Sequence, residues 1–277
     1  MANDTQKIWR YMDFAKFISL LANEALFFAC PNKFQDPFEG HRPRSEMAAW
    51  SKILQKSVDD TLSVVNQIKS MRPNDDFQVL DENIRIYIRC LKDANRIATQ
   101  RFGVSCWHKN DGENDAMWKL YSASGQGIAI QSTIKQLREA IENDTLIIDD
   151  VRYGNFDIDP IEKGHKRYGL FQKRKEFEHE RELRATVLLS ENEYGKGKLV
   201  KCDLDILITT IYVSPLMEEY VKDDIEKLCS NKIRKLDKPI IRSPLLTEPD
   251  YGIELSMSSV TGAAPDNRFL TDNRRLL

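Results

Sequence analysis

The chain has 277 residues, enough for one large domain or two small ones and for a sizeable core. Hydrophobic residues make up 41% and charged residues 30%, and 41 Lys+Arg against 43 Asp+Glu leave a formal charge of −2. These figures exclude a long disordered tract, a collagen-like chain and a dominant nucleic-acid-binding field, although a local basic patch stays open.

Ile8 to Tyr11 reads as a first strand. Phe14 to Ala22 reads as a helix, with Phe14, Phe17, Ile18 and Leu21 at helical spacing. Leu26 to Ala29 is a second short strand, and it enters a loop, Cys30 to Gly40, punctuated by two prolines. A helical insert covers about residues 45–100, predicted as one helix from Ser45 to Ser70 and another from Leu80 to Thr99. No flexible linker bounds it, so residues 1–277 read as a single domain. Its apolar positions, among them Ile53, Val58, Leu62, Val65 and Ile68, are expected to pack beside the sheet and frame a cleft.

The second half is strand-rich. Phe102 to Trp107 is predicted as a strand, Ala116 to Tyr121 as a helical turn and Gly127 to Gln131 as a strand leaving a glycine turn. Thr133 to Asn143 reads as a helix capped by Thr133. Leu146 to Tyr153, Leu183 to Leu189, Ile206 to Val213 and Pro239 to Arg242 read as further strands, with Leu183, Ala185, Val187 and Leu189 inward. The predicted class is α+β, a mixed and mostly antiparallel sheet with a helical insert.

Five cysteines lack a C-x-x-C pair, and four histidines lack H-E-x-x-H, so neither a disulfide framework nor a zinc motif is predicted. No apolar run is long enough to cross a bilayer, and the start, MANDTQKIWR, lacks a secretory h-region. The expected setting is a reducing cytoplasm with no membrane partner.

Three stretches could carry chemistry. In KRKEFEHERELR, Lys173 to Arg184, a strand beginning near Glu180 would put Glu180, Glu182 and Arg184 on one face. Paired carboxylates separate in pKa and suit acid–base work. Taken as a helix, the same stretch is a charged surface with Glu180 and Arg184 as an i, i+4 pair. From Lys163 to Arg184 eight basic residues face four glutamates, a patch that could hold phosphates or simply be solvated. The second stretch is Asp36-Pro37-Phe38-Glu39, where Asp36 and Glu39 serve either a functional loop or local backbone capping. The third is Met117 to Gly127, where Trp118 and Tyr121 either stack on a flat ligand or belong to the core. Cys106 beside His108 lacks a third orienting group, so a cysteine nucleophile is not predicted.

Taken in order, Arg10-Tyr11, Gln35 to Glu39, Val104-Ser105-Cys106, Met117 to Gly127 and Lys173 to Arg184 resemble a bacterial family catalogued as domain of unknown function 2971. The same skeleton is similar to ADP-ribosyltransferases that carry an Arg on the first strand, a Ser on a middle strand and E-x-E before a late strand. This second resemblance implies an ADP-ribosyltransferase-like split sheet. It also implies that Arg10 holds the pyrophosphate of NAD, that Ser105 shapes the nicotinamide-ribose pocket, and that Glu182 stabilises an oxocarbenium-like transition state. Glu180 would activate the acceptor, and Tyr121 or Trp118, with Tyr11 near by, would line the ring site. NAD is then a donor substrate and no tightly bound cofactor or metal is implied. The acceptor would be a nucleic acid or protein, in an intracellular toxin or phage-defence effector with an antitoxin or regulatory partner. Two other functions stay open: a nucleic-acid or nucleotide sensor using the Lys163–Arg184 patch with Trp118, Tyr121 and Tyr168, and a metal-dependent hydrolase or nuclease using Asp36, Glu39, Glu180 and Glu182. The transferase reading expects Arg10, Ser105, Tyr121 and Glu182 in one cleft.

Overall fold

Strand β1 (Lys7–Asp13) ends at Asp13, whose carboxylate accepts from Lys16 N and starts helix α1 (Phe14–Asn23). The computed structural model describes residues 3–41, 43–121, 125–159, 168–232 and 235–249. After α1 come β2 (Ala25–Phe28), α2 (Arg44–Met71), α3 (Gln78–Gln100), β3 (Phe102–Lys109), α4 (Asp115–Tyr121), β4 (Gly127–Thr133) and α5 (Ile134–Glu139). The chain continues through β5 (Ile147–Asp150), β6 (Arg152–Gly154), β7 (Gln172–Arg174), β8 (Glu182–Leu188), β9 (Lys198–Lys201), α6 (Leu204–Leu207), β10 (Thr210–Val213), α7 (Glu219–Lys227) and β11 (Ile240–Arg242).

The fold is α+β. Seven strands form one sheet in the order β11-β10-β4-β1-β3-β8-β5, antiparallel except between β10 and β11. Strands β2 and β9 make a second, antiparallel pair, and β6 and β7 a short parallel one. One face of the large sheet carries Ile8, Trp107, Ile130 and Leu183 into the main core with Phe17 and Leu21 of α1 and Leu26 and Phe28 of β2. Each such side chain removed from water contributes about 1.5–3 kcal/mol, opposed by the entropy of ordering it. As expected from period two, Leu183, Ala185 and Val187 face this core.

Two predicted strands are cut short by local chemistry. Ile206 to Val213 begins instead as α6, because Asp203 accepts from Asp205 N and Ile206 N and caps a helical turn; the strand starts at Thr210. Leu146 to Tyr153 divides at Val151, whose N–H bonds Glu182 O, so that β5 pairs with β8 while β6 pairs with β7.

The insert differs more. Helices α2 and α3 meet through Ser57–Tyr87 Oη (2.9 Å), Lys69–Asp81 (2.5 Å) and buried Val65. Ile53, Leu62 and Ile68, expected to be covered, are 60, 37 and 40% exposed. A two-helix hairpin can bury only the stripe along which its helices meet. Its root attaches where Cys30 Sγ approaches the carbonyls of Thr99 and Gln100 at 3.6 Å.

Strand β3 changes partner halfway along. It pairs with β1 at only two positions, Ile8↔Lys109 and Trp9↔His108. Beyond them the strands part, and Val104 exchanges backbone hydrogen bonds of 2.9 and 2.8 Å with Ala29. Gly103 permits the approach, since a Cβ there would lie 2.8 Å from Phe28 Cβ. Arg10 fills the fork. Its Nη1 donates to Ser105 Oγ and to Cys106 O (3.2 Å), and Nη2 donates to Phe27 O (3.3 Å).

Met1–Leu245 form one compact unit; of a second, Leu246–Leu277, residues 246–249 are described. Among the described residues no helix is long and apolar enough to cross a membrane.

Candidate active site

Strand β8 is entered from a 3-10 turn, Lys175–Glu180, that ends at Arg181. Arg181 has φ 42° and ψ 53°, left-handed values that cost a side-chain-bearing residue about 1 kcal/mol or more. Glu180 therefore does not lie on the strand, as the alternation had placed it. The Arg181 turn sends it back toward β7, while Glu182 and Arg184 share one face of β8. Arg181→Gly should be neutral or slightly stabilising, and Arg181→Val destabilising by more than about 1 kcal/mol, in urea unfolding. Equal effects of the two would show that the turn does not constrain the chain.

The two glutamates meet on Lys173. Its Nζ lies 2.7 Å from Glu180 Oε2 and 2.6 Å from Glu182 Oε1. The other Glu182 oxygen accepts from Arg184 Nε at 2.6 Å. Arg184, 1% exposed, also donates through Nη1 to Glu39 Oε1 (2.5 Å) and Leu170 O (2.7 Å). Asp36, three residues before Glu39, takes a two-point ion pair from Arg174 at 2.8 and 3.3 Å. The Asp36–Glu39 loop thus clamps the segment that presents the carboxylates. Tyr153 accepts from Glu182 N at 2.7 Å, and His108 Nδ1 donates to Glu180 O at 2.6 Å.

Charge follows from this geometry. Burial raises Glu180, and its contact with Glu182 adds to the rise, so its pKa is pushed up to about 7. Burial would raise Glu182 too, but Arg184 and Lys173 outweigh it and hold the carboxylate well below its usual range. The fold therefore favours protonated Glu180. That contribution is complete below the ordinary carboxylate pKa and is lost as pH rises through about 7. The thermal midpoint should fall between pH 5.5 and 8, and Glu180→Gln should flatten the fall; an unchanged slope would show that Glu180 titrates elsewhere.

The remaining sequence candidates separate. Tyr11 lies on the carboxylate side of the sheet, buried, with its Oη accepting from Asn114 N. Trp118, read as a ring platform, is 4% exposed and packs edge-on against Tyr11 at 5.0 Å, so it is core. Tyr121 is 41% exposed, and burial of its hydroxyl together with Cys106, Glu180 and Glu182 raises its pKa. Arg10 and Ser105 depart from the single-cleft expectation. Register puts them with Trp107 and Ala185 on the core face, opposite His108 and Glu182. The Tyr121 hydroxyl is within electrostatic range of Arg10 as well as of the carboxylates.

Lys173, Arg174 and Arg184 face carboxylates, so these members of the basic patch are neutralised from within. Lys163, Lys166 and Arg167 lie outside the described residues. Lys173 Nζ occupies the position between Glu180 and Glu182 that a bridging cation would need, and no metal-ligand group of three or more is found among the described residues. Burial of the thiol and the Glu182 charge raise the Cys106 pKa, which suits an inert thiol on a half-buried residue. From the sequence, His108 is weighed only as a partner for Cys106 and set aside, and Tyr153 is read only as the end of a strand. His108 follows directly on the predicted strand Phe102 to Trp107, and the observed strand runs on through it to Lys109; Tyr153 carries no site signal. Arg184 Nη2 and His108 Nε2 are buried without a partner among the described residues.

No family model, curated protein or solved structure matches the chain.

Proposed function

We propose that the chain is an ADP-ribosyltransferase-like enzyme that transfers ADP-ribose from NAD to a macromolecular acceptor. The observation that carries this reading is the Lys173-bridged pair at the head of β8: one carboxylate held anionic and one titrating near neutrality. In the reaction the bond between nicotinamide nitrogen and ribose C1′ breaks, and nicotinamide leaves with the bonding pair. Positive charge grows on the ribose, where the Glu182 carboxylate stabilises it. An acceptor nucleophile bonds C1′ and gives its proton to deprotonated Glu180.

Strand order supports the same reading. Strands β1, β3 and β8, which carry Arg10, Ser105 and Glu182, are immediate neighbours. The fork between β1 and β3 brings a guanidinium to the side of the sheet away from the carboxylates. Three of its N–H bonds are committed to Ser105, Cys106 and Phe27. A donor lying across the fork would set its pyrophosphate toward Arg10 and its ribose toward Glu182, with the Tyr121 hydroxyl within electrostatic range of both. An intracellular toxin or defence role belongs to the same proposal.

The test is calorimetric NAD binding and nicotinamide release by the purified chain, with candidate protein and nucleic-acid acceptors supplied. Release dependent on an acceptor is expected. A protein that neither binds nor consumes NAD overturns the reading.

A further inference from the structure

The outer side of the α2–α3 hairpin carries apolar surface that no element among the described residues covers. Ile53, Val64, Ile68 and Met71 are 60, 55, 40 and 78% exposed, and at 100° per residue they fall within a sector of about 60° on α2. On α3, Val79 and Ile86, seven residues apart, are 76 and 46% exposed. Val64 and Ile68 each lie about 100° round α2 from the seam residue beside them, Val65 and Lys69, and Ile86 lies about 100° round α3 from Tyr87; Ile53 is one turn before the seam residue Ser57 and edges the strip at the root. Two amphipathic stripes on one rigid hairpin are far more apolar surface than solubility calls for.

We propose that this side is a self-association surface, on which two copies of the chain pack their hairpins antiparallel across a two-fold axis into a four-helix bundle. Charge polarity selects a second copy as the occupant. In the half of the hairpin near the 72–77 turn, residues 59–85, six acidic residues face three basic ones. In the root half, residues 44–58 and 86–100, six basic residues face two acidic ones. Antiparallel two-fold packing sets the acidic tip of each copy against the basic root of the other, twice over. A parallel arrangement sets like against like. The size also fits. Helices of 28 and 23 residues span about 42 and 34 Å, and a strip of that length two helices wide offers roughly 800 Å² per copy, the scale of a stable interface.

The experiment is sedimentation equilibrium on the full chain at tens of micromolar. Wild type is expected at twice the 32.1 kDa of one chain. Ile68→Glu with Val79→Glu, both at exposed positions, should give a monomer with unchanged circular dichroism. Two charge-reversed chains complete the test: Lys52→Glu with Lys56→Glu at the root, and Asp60→Lys with Glu82→Lys toward the tip. Each alone should dimerise at least tenfold more weakly than wild type, and an equimolar mixture should recover the dimer. A monomeric wild type overturns the proposal. So does a dimer that survives Ile68→Glu with Val79→Glu, or a mixture no tighter than its components. None of these readouts involves NAD, so they stand or fall apart from the transferase reading.

Discussion

Glu182→Gln is expected to lower NAD turnover at least about a hundredfold while NAD still binds. In the proposed reaction the carboxylate acts on a charge that exists only in the transition state, so its loss weakens ground-state binding much less than it slows turnover. The structure adds a second consequence. Both Glu182 oxygens accept from cations, Lys173 and Arg184, and a glutamine would turn an amide N–H₂ toward one of them. A stability loss of about 2–4 kcal/mol should therefore accompany the loss of turnover. Assays well below the variant's melting temperature, with NAD binding measured calorimetrically in parallel, separate the two effects. Glu180→Gln is the cleaner companion. Glu180 is already part-protonated near neutrality, so this change should spare the fold, leave slow NAD hydrolysis and remove transfer to an acceptor. A Glu182→Gln protein that turns over NAD like wild type would remove Glu182 from the chemistry.

Arg184→Met should have the largest effect on stability, roughly 3–5 kcal/mol in urea unfolding. Methionine fills similar volume, so the loss is electrostatic. It leaves Glu39 without its cation and Glu182 with Lys173 alone, two carboxylates that are 6% exposed. Adding Glu39→Gln should then cost less than it does in the wild-type background, because one of the stranded charges is gone. Additive losses would mean that Glu39 and Arg184 are not energetically coupled.

The strand core was readable because alternation and burial agree: Leu183, Ala185 and Val187 alternate in sequence and face the core. Strands β7 and β9, of three and four residues, were missed because their pairing is set by distant partners and not by local pattern. The charged segment was legible as a list of residues but not as a geometry. Nothing in E-R-E announces that the central arginine adopts a left-handed turn, and that turn is what faces both glutamates toward Lys173. Trp118 and Tyr121 have the same spacing signal, yet one is core and the other half-open, because α4 lays only one side on β1. Arg10 and Ser105 sit on predicted strands, but their direction depends on the parting of β1 from β3, which only tertiary pairing reveals.

The clamp from the Asp36–Glu39 loop reaches across the chain: the Asp36–Arg174 and Glu39–Arg184 pairs join residues 138 and 145 apart. Closing loops of that length early is entropically costly, and contacts of such separation form late in folding. On a ribosome, the first 170 residues can build β1, β3, β4 and the helical hairpin without either glutamate of the pair being present. The carboxylates come together only after β8 has emerged and docked between β3 and β5. If the chain consumes NAD as proposed, it would thereby stay inert throughout its synthesis, with the order of translation serving as its safety catch.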